Sequence, residues 1–153
     1  MRNRRDLHTP FATPEPEPRA PRVLLAEDDA AMRDLLARTL RRHGFDVVEA
    51  RSGYETLEWL AHGIIHEPPI WFDLVISDVR MPGYDGLNIL ASLRQMPVHV
   101  PVILITAFGS RETHAAAARL GAFAMLDKPF DVDDLMTIVL AATLPAGSAP
   151  RDA

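Results

Sequence analysis

Val23-Leu24-Leu25-Ala26-Glu27-Asp28-Asp29 decides how the rest of the chain is read: an apolar run of strand length, without alternation, that stops abruptly at three carboxylates. A strand with one wet face alternates polar and apolar residues, whereas a continuous apolar run belongs to a strand covered on both faces. The pattern returns in Val47-Val48, Leu74-Val75-Ile76, Val102-Ile103-Leu104-Ile105 and Ala124-Met125-Leu126. Strands of this kind predict a parallel sheet.

Helical patterns fill the intervals. Met32, Leu35, Leu36 and Leu40 are assigned to one buried face of a helix that stops at Gly44, a C-terminal cap. Ser52-Gly53-Tyr54-Glu55 reads as a capping-box start, with Leu57, Leu60 and Ala61 on the buried stripe. A shorter helix is expected from about Gly86 to Gln95. Ser110 caps another that runs through Leu120 to Gly121, and Asp131 opens the last, with Leu135, Ile138, Val139 and Ala142 inward. Five strands alternating with five helices give an α/β fold, a doubly wound parallel sheet with right-handed crossovers and helices on both faces.

The chain has 153 residues, 48% hydrophobic content and a formal net charge of -5, which fits one domain and gives no basic field for nucleic acid. With no cysteine, disulfides, thiolate metal sites and cysteine nucleophiles are excluded. No stretch approaches the apolar length of a membrane span, and Arg2, Arg4 and Arg5 are not followed by a signal-peptide core, so a cytoplasmic protein without membrane insertion is expected. Residues 1–21 hold five of the thirteen prolines and read as a disordered or polyproline-like leader, 22–144 as the folded domain, and 145–153 as a flexible tail.

Ligands in such sheets bind at the carboxyl ends of the strands, where every noteworthy polar residue of this chain falls. Glu27-Asp28-Asp29 follows the first strand, Asp78 the third, Thr106 the fourth and Lys128 the fifth. Lys128 is the only lysine beside fifteen arginines, which suggests a compact ammonium where a planar guanidinium would not fit. Carboxylates converging in one crevice repel one another unless a cation neutralises them, and an all-oxygen site favours a hard ion such as Mg²⁺. Asp29 is better spent capping the first helix. Asp78, Thr106 and Lys128 suit phosphoryl transfer to a carboxylate, with the ammonium and the hydroxyl bonding the phosphoryl oxygens.

Together, Val23-Leu24-Leu25-Ala26-Glu27-Asp28-Asp29, the run Leu74-Val75-Ile76-Ser77-Asp78-Val79-Arg80-Met81-Pro82-Gly83, Ile105-Thr106-Ala107 and Lys128-Pro129-Phe130 resemble the receiver domain of two-component response regulators. The resemblance covers nearly all of residues 22–144. It implies the flavodoxin-like (βα)5 fold with strand order 2-1-3-4-5, and Asp78 as acceptor of a phosphoryl group from a phosphohistidine. The donor would be a sensor histidine kinase or a histidine phosphotransfer protein. It further implies Mg²⁺ bound by Asp28, Asp78 and the backbone carbonyl of Arg80, with Glu27 acting mainly through water. Thr106 and Lys128 would bind the phosphoryl group, and the Lys128-Pro129 peptide would be cis. The domain would catalyse only its own phosphorylation and dephosphorylation, and signal or relay to a downstream protein.

One position departs from the family pattern: Met125 stands three residues before the lysine, where an aromatic switch residue is usual. The expected switch region is Met125 with Ala107 and Phe108, while Phe123 reads either as helix-end packing or as a substitute for the missing aromatic. No output domain is read after Leu144, so a stand-alone receiver is expected, with Arg111, His114, Arg119 and the last helix as its contact surface. The connection from His62 to Phe72 is long and apolar and is expected to fold back over the core, with His62 and His66 solvated. An aspartate-dependent Mg²⁺ phosphatase uses similar residue types, but Asp78-Val79-Arg80 lacks the second acid and no cap domain is read. A phosphate-independent binding module rests on Met125 alone.

Overall fold

The computed structural model describes residues 19–96 and 99–144. The expected tail at 145–153 and all but the last three residues of the expected leader lie outside them. Ten elements alternate: β1 Arg22–Ala26, α1 Ala30–Arg42, β2 Asp46–Ala50, α2 Gly53–Ile65, β3 Leu74–Asp78, α3 Gly86–Arg94, β4 Val102–Thr106, α4 Arg111–Arg119, β5 Ala124–Asp127 and α5 Val132–Thr143. The sheet has five parallel strands in the order β2-β1-β3-β4-β5. The strand order inferred from the resemblance is therefore the observed one.

Strand pleating divides the core in two. Leu24, Val75, Val102 and Leu104 face one side and pack with Leu60 of α2, Ile89, Leu90 and Leu93 of α3 and Ala117 of α4. Val23, Leu25, Leu74, Ile76, Ile103 and Ile105 face the other and pack with Leu36 and Leu40 of α1 and Leu135, Met136 and Val139 of α5. Every residue of β3 and β4 is buried, as two-sided coverage of central strands requires. Each of the buried Val, Leu, Ile and Met side chains among these contributes about 1.5–3 kcal/mol by leaving water.

Caps fall where short polar residues precede the helices. The side chains of Asp29, Ser52, Asp85, Ser110 and Asp131 each accept a backbone N–H from the first turn. The Glu55 carboxylate reaches back to the N–H of Arg51, one residue before the capping-box target. Gly44 ends the first helical unit at φ 89°, a left-handed conformation that a side chain would resist.

Three local expectations differ from the structure. Leu35 is 46% exposed, because the face of α1 that meets the sheet is centred on Leu36, Ala37 and Leu40. Ala61 is exposed, and Thr56 and Leu60 hold the buried side of α2 instead. The connection after α2 does not fold wholly over the core: Phe72 is buried, but Ile64, Ile65 and Trp71 are exposed. The helix runs on through Gly63 to Ile65, and Ile70 turns back to donate its N–H to the Gly63 carbonyl. His62 and His66 are exposed, as expected. Among the described residues, no helix is long and apolar enough to cross a membrane.

Candidate functional site

The strand order places β1 beside β3, so the ends that carry Glu27 and Asp78 are neighbours. Backbone pairing continues past the strands: Glu27 donates its N–H to the Ala50 carbonyl at 3.1 Å, and Lys128 donates its N–H to the Thr106 carbonyl at 2.7 Å. Both residues are thus fixed by the ladder rather than by free loops. The Arg33 guanidinium adds a bond from Nη1 to the Glu27 carbonyl at 2.8 Å, which ties the β1 end to the first turns of α1. The Lys128-Pro129 peptide is cis.

Carboxylate oxygens of Glu27, Asp28 and Asp78 all lie within 4.8 Å of one another. Glu27 is 1% exposed and Asp78 6%, whereas Asp28 is open to solvent. Asp29 turns away, its Oδ1 accepting the N–H groups of Ala31 and Met32. The three consecutive acids therefore separate into a buried member, an exposed member on the same cluster and a helix cap.

Lys128 crosses the end of β4 to reach the acids, donating from Nζ to Asp78 Oδ2 at 2.8 Å and to Glu27 Oε2 at 3.1 Å. The second oxygens are aimed as well: Arg80 N–H donates to Asp78 Oδ1 at 3.0 Å, and Asp29 N–H to Glu27 Oε1 at 3.2 Å. Thr106 is 1% exposed at the end of β4, its hydroxyl oxygen accepting the Phe108 N–H at 3.2 Å. The Arg80 guanidinium lies 4.8 Å from the centre of the Phe108 ring, and Phe108 itself is 68% exposed at the mouth of the site. Ala107 is exposed beside it, and Met125 is half-buried against the α2–α3–α4 side of the core.

Three acids around one ammonium leave excess negative charge. Burial, then repulsion from Asp78, pushes the Glu27 carboxyl up to about 7 from its ordinary 4.5, against the hydrogen bond from Lys128. Burial opposes the charge on Lys128, but hydrogen bonds to Asp78 and Glu27 outweigh it and hold the ammonium above its usual range. The hard, all-oxygen donor set and its uncompensated charge fit a divalent cation, and among the described residues it is the only cluster of three such side chains.

The raised Glu27 value has a thermodynamic consequence. The folded chain holds a proton there that the unfolded chain loses near 4.5, so stability from this group is present below that value and lost as pH rises through about 7. In chelator at pH 8, Glu27→Gln is expected to melt about 3–5 °C above the parent, because the amide keeps an acceptor for Lys128 without the charge. At pH 3.5, where folded and unfolded chains both hold the proton, the difference should nearly vanish. Equal melting temperatures at both pH values would show that Glu27 carries no such strain.

Sequence reasoning named all these acids, Thr106, Lys128 and Arg80, and they converge. It missed Arg33, whose bond to Glu27 depends on how α1 leaves the strand, and it missed the pairing of His114 Nε2 with Asp127 Oδ1 at 3.0 Å beside Thr106.

Comparison with known proteins agrees with this geometry. The family model described as response regulator receiver domain matches residues 23–140. The response regulator protein FleR of Pseudomonas aeruginosa is 41% identical over 120 residues, covering 78% of this chain and 24% of FleR. The transcriptional regulatory protein PdtaR of Mycobacterium tuberculosis is 40% identical over 119 residues, 77% of this chain and 54% of PdtaR. The chain thus spans from a quarter to about half the length of these relatives. Among solved structures, the receiver domain of the Francisella response regulator 1452 superposes with a TM-score of 0.71 at 28% identity, covering 80% of this chain and 96% of that one. From the sheet order, the acidic strand ends and these matches, the chain belongs to the response regulator receiver domain family.

Proposed function

We propose that this domain accepts a phosphoryl group from a phosphohistidine onto Asp78 and signals or relays through protein contacts. The observation that carries this reading is the bond from Lys128 Nζ to Asp78 Oδ2 at 2.8 Å inside a buried acidic cluster. A carboxylate oxygen of Asp78 attacks the phosphorus, the phosphorus–nitrogen bond breaks, and the imidazole of the donor leaves with the electron pair. Lys128 and the Thr106 hydroxyl bond the equatorial oxygens as their charge develops. Mg²⁺, held by Asp28, Asp78 and the Arg80 carbonyl with Glu27 through water, would neutralise the remaining phosphoryl charge. Hydrolysis reverses the modification: water attacks the phosphorus in line, and the Asp78 carboxylate leaves.

The donor is a sensor histidine kinase or a histidine phosphotransfer protein, and the target a downstream protein. Incubation with a small phosphoryl donor and Mg²⁺, followed by intact mass, tests the chemistry: one added phosphoryl group supports it. Continuous release of phosphate without a modified protein would favour the phosphatase reading, and no reaction at all a binding module.

Arg80 and Phe108 stack over the mouth of the site, which would obstruct the line of a hydrolytic water. Phe108→Glu is therefore expected to lose its phosphoryl group at least about threefold faster, roughly 0.7 kcal/mol of barrier. Decay of the acyl phosphate, followed by intact mass after donor removal, checks this. Equal or slower decay would remove the shielding role.

A further inference from the structure

We propose that the His114–Asp127 pair is a latch that seats the loop between β4 and α4, and with it Thr106, in the unphosphorylated position. The inference rests on the phosphoacceptor reading above and names a device that controls it.

The geometry converges on Gly109. A Cβ built there would collide with Asp127 Oδ1, lie 2.8 Å from His114 Nε2 and 3.0 Å from Thr106 Cγ2. The loop backbone is therefore packed against the His114–Asp127 pair and the Thr106 methyl, and a side chain at 109 would force that pair to shift. Asp127 stands directly opposite Thr106 in the β4–β5 register, and His114 reaches it from the first turns of α4. One contact thus joins the end of β5, the start of α4, and the loop that carries Phe108.

Strand parity strengthens the assignment. Met125 and Asp127 are two residues apart on β5 and share a face, on the side where Met125 packs toward α2, α3 and α4. Met125 lacks an aromatic ring, and Phe123, exposed and before the strand begins, is not placed to replace one. On that face the register partner of Thr106 is Asp127, which pairs with His114. When the Thr106 hydroxyl turns to a phosphoryl oxygen, it gives up the Phe108 N–H it now accepts, and the loop must shift past the pair. His114 and Asp127 are positioning residues in this scheme, since neither touches the reacting atoms.

Both side chains are partly exposed, so the pair is modest in strength. Breaking it should tighten binding of a phosphoryl mimic by about twofold to fivefold, because the seated state competes less. The experiment uses the full chain labelled with nitrogen-15, titrated with beryllofluoride in Mg²⁺ and followed at the amides of Ala107, Gly109 and Ser110. His114→Ala and Asp127→Ala should each tighten beryllofluoride and move those amides, before any addition, part of the way toward the bound positions. The double variant should match either single one, since they share one interaction. His114→Gln, which restores a donor to Asp127, should return toward the parent. Gly109→Ala, whose methyl would push Asp127 Oδ1 and His114 Nε2 apart while leaving both side chains in the chain, should behave like the broken pair and stands in if either truncation does not fold.

Parent protein that binds beryllofluoride while all these variants keep the parent's affinity and amide positions would overturn the latch and leave the phosphoacceptor reading standing. Parent protein that does not bind beryllofluoride would overturn both.

Discussion

Asp78→Asn is expected to abolish covalent labelling by a phosphoryl donor while the domain stays folded. Asp78 is 6% exposed, with both oxygens already aimed: one accepts the Arg80 N–H, the other the Lys128 ammonium. Asn keeps the shape and an acceptor, so packing survives, but an amide is not a nucleophile toward phosphorus. The same change removes the charge that helps raise Glu27, whose pKa should fall toward its ordinary 4.5. Intact mass reads the first effect, and carboxyl titration by NMR the second. Persistent labelling of the variant would move the acceptor elsewhere; labelling unchanged by chelator in the parent would remove the metal from the reaction. A folded, unlabelled variant with a lowered Glu27 value is the combined result the site geometry requires.

Lys128→Arg is expected to reduce the rate of labelling at least about tenfold, about 1.4 kcal/mol of barrier, although the charge is kept. Lys128 Nζ sits 2.8 Å from Asp78 Oδ2 and 3.1 Å from Glu27 Oε2, with the side chain only 18% exposed. A point-like ammonium can bond both acids and still turn one donor to a phosphoryl oxygen. The guanidinium is longer, planar and fork-shaped, and would pair with a single carboxylate or push the acids apart. Labelling rates across donor concentrations measure the effect, and circular dichroism reports whether the fold is retained. An Arg variant labelled at the parental rate would show that charge alone suffices there.

Much of this site was readable in one dimension because its parts are strand-end residues. A continuous apolar run marks a strand covered on both faces, and the polar residue that stops the run must lie at its carboxyl end. Glu27 and Thr106 stop their runs directly, Asp78 and Lys128 follow one residue after theirs, and Asp29 goes to its cap by the same local logic. The strand order came from the family resemblance, since periodicity does not say which strands are neighbours.

The sequence by itself determined the alternation of elements, the parallel sheet and the residue types at the carboxyl ends of its strands, because these follow from short-range periodicity and from the chain direction a parallel sheet imposes. Tertiary structure alone decided how far each helix face is covered. Leu35, Ala61 and Trp71 obey the apolar pattern and stay exposed, because a period locates a face but not the reach of the neighbouring layer. It alone decided the partners as well. Lys128 meets Glu27 across 101 positions and Asp78 across 50, while Arg33 meets the Glu27 carbonyl, and His114 meets Asp127 under Gly109. Such contacts depend on sheet register and on the packing of each helix against the sheet, which only the assembled layers fix.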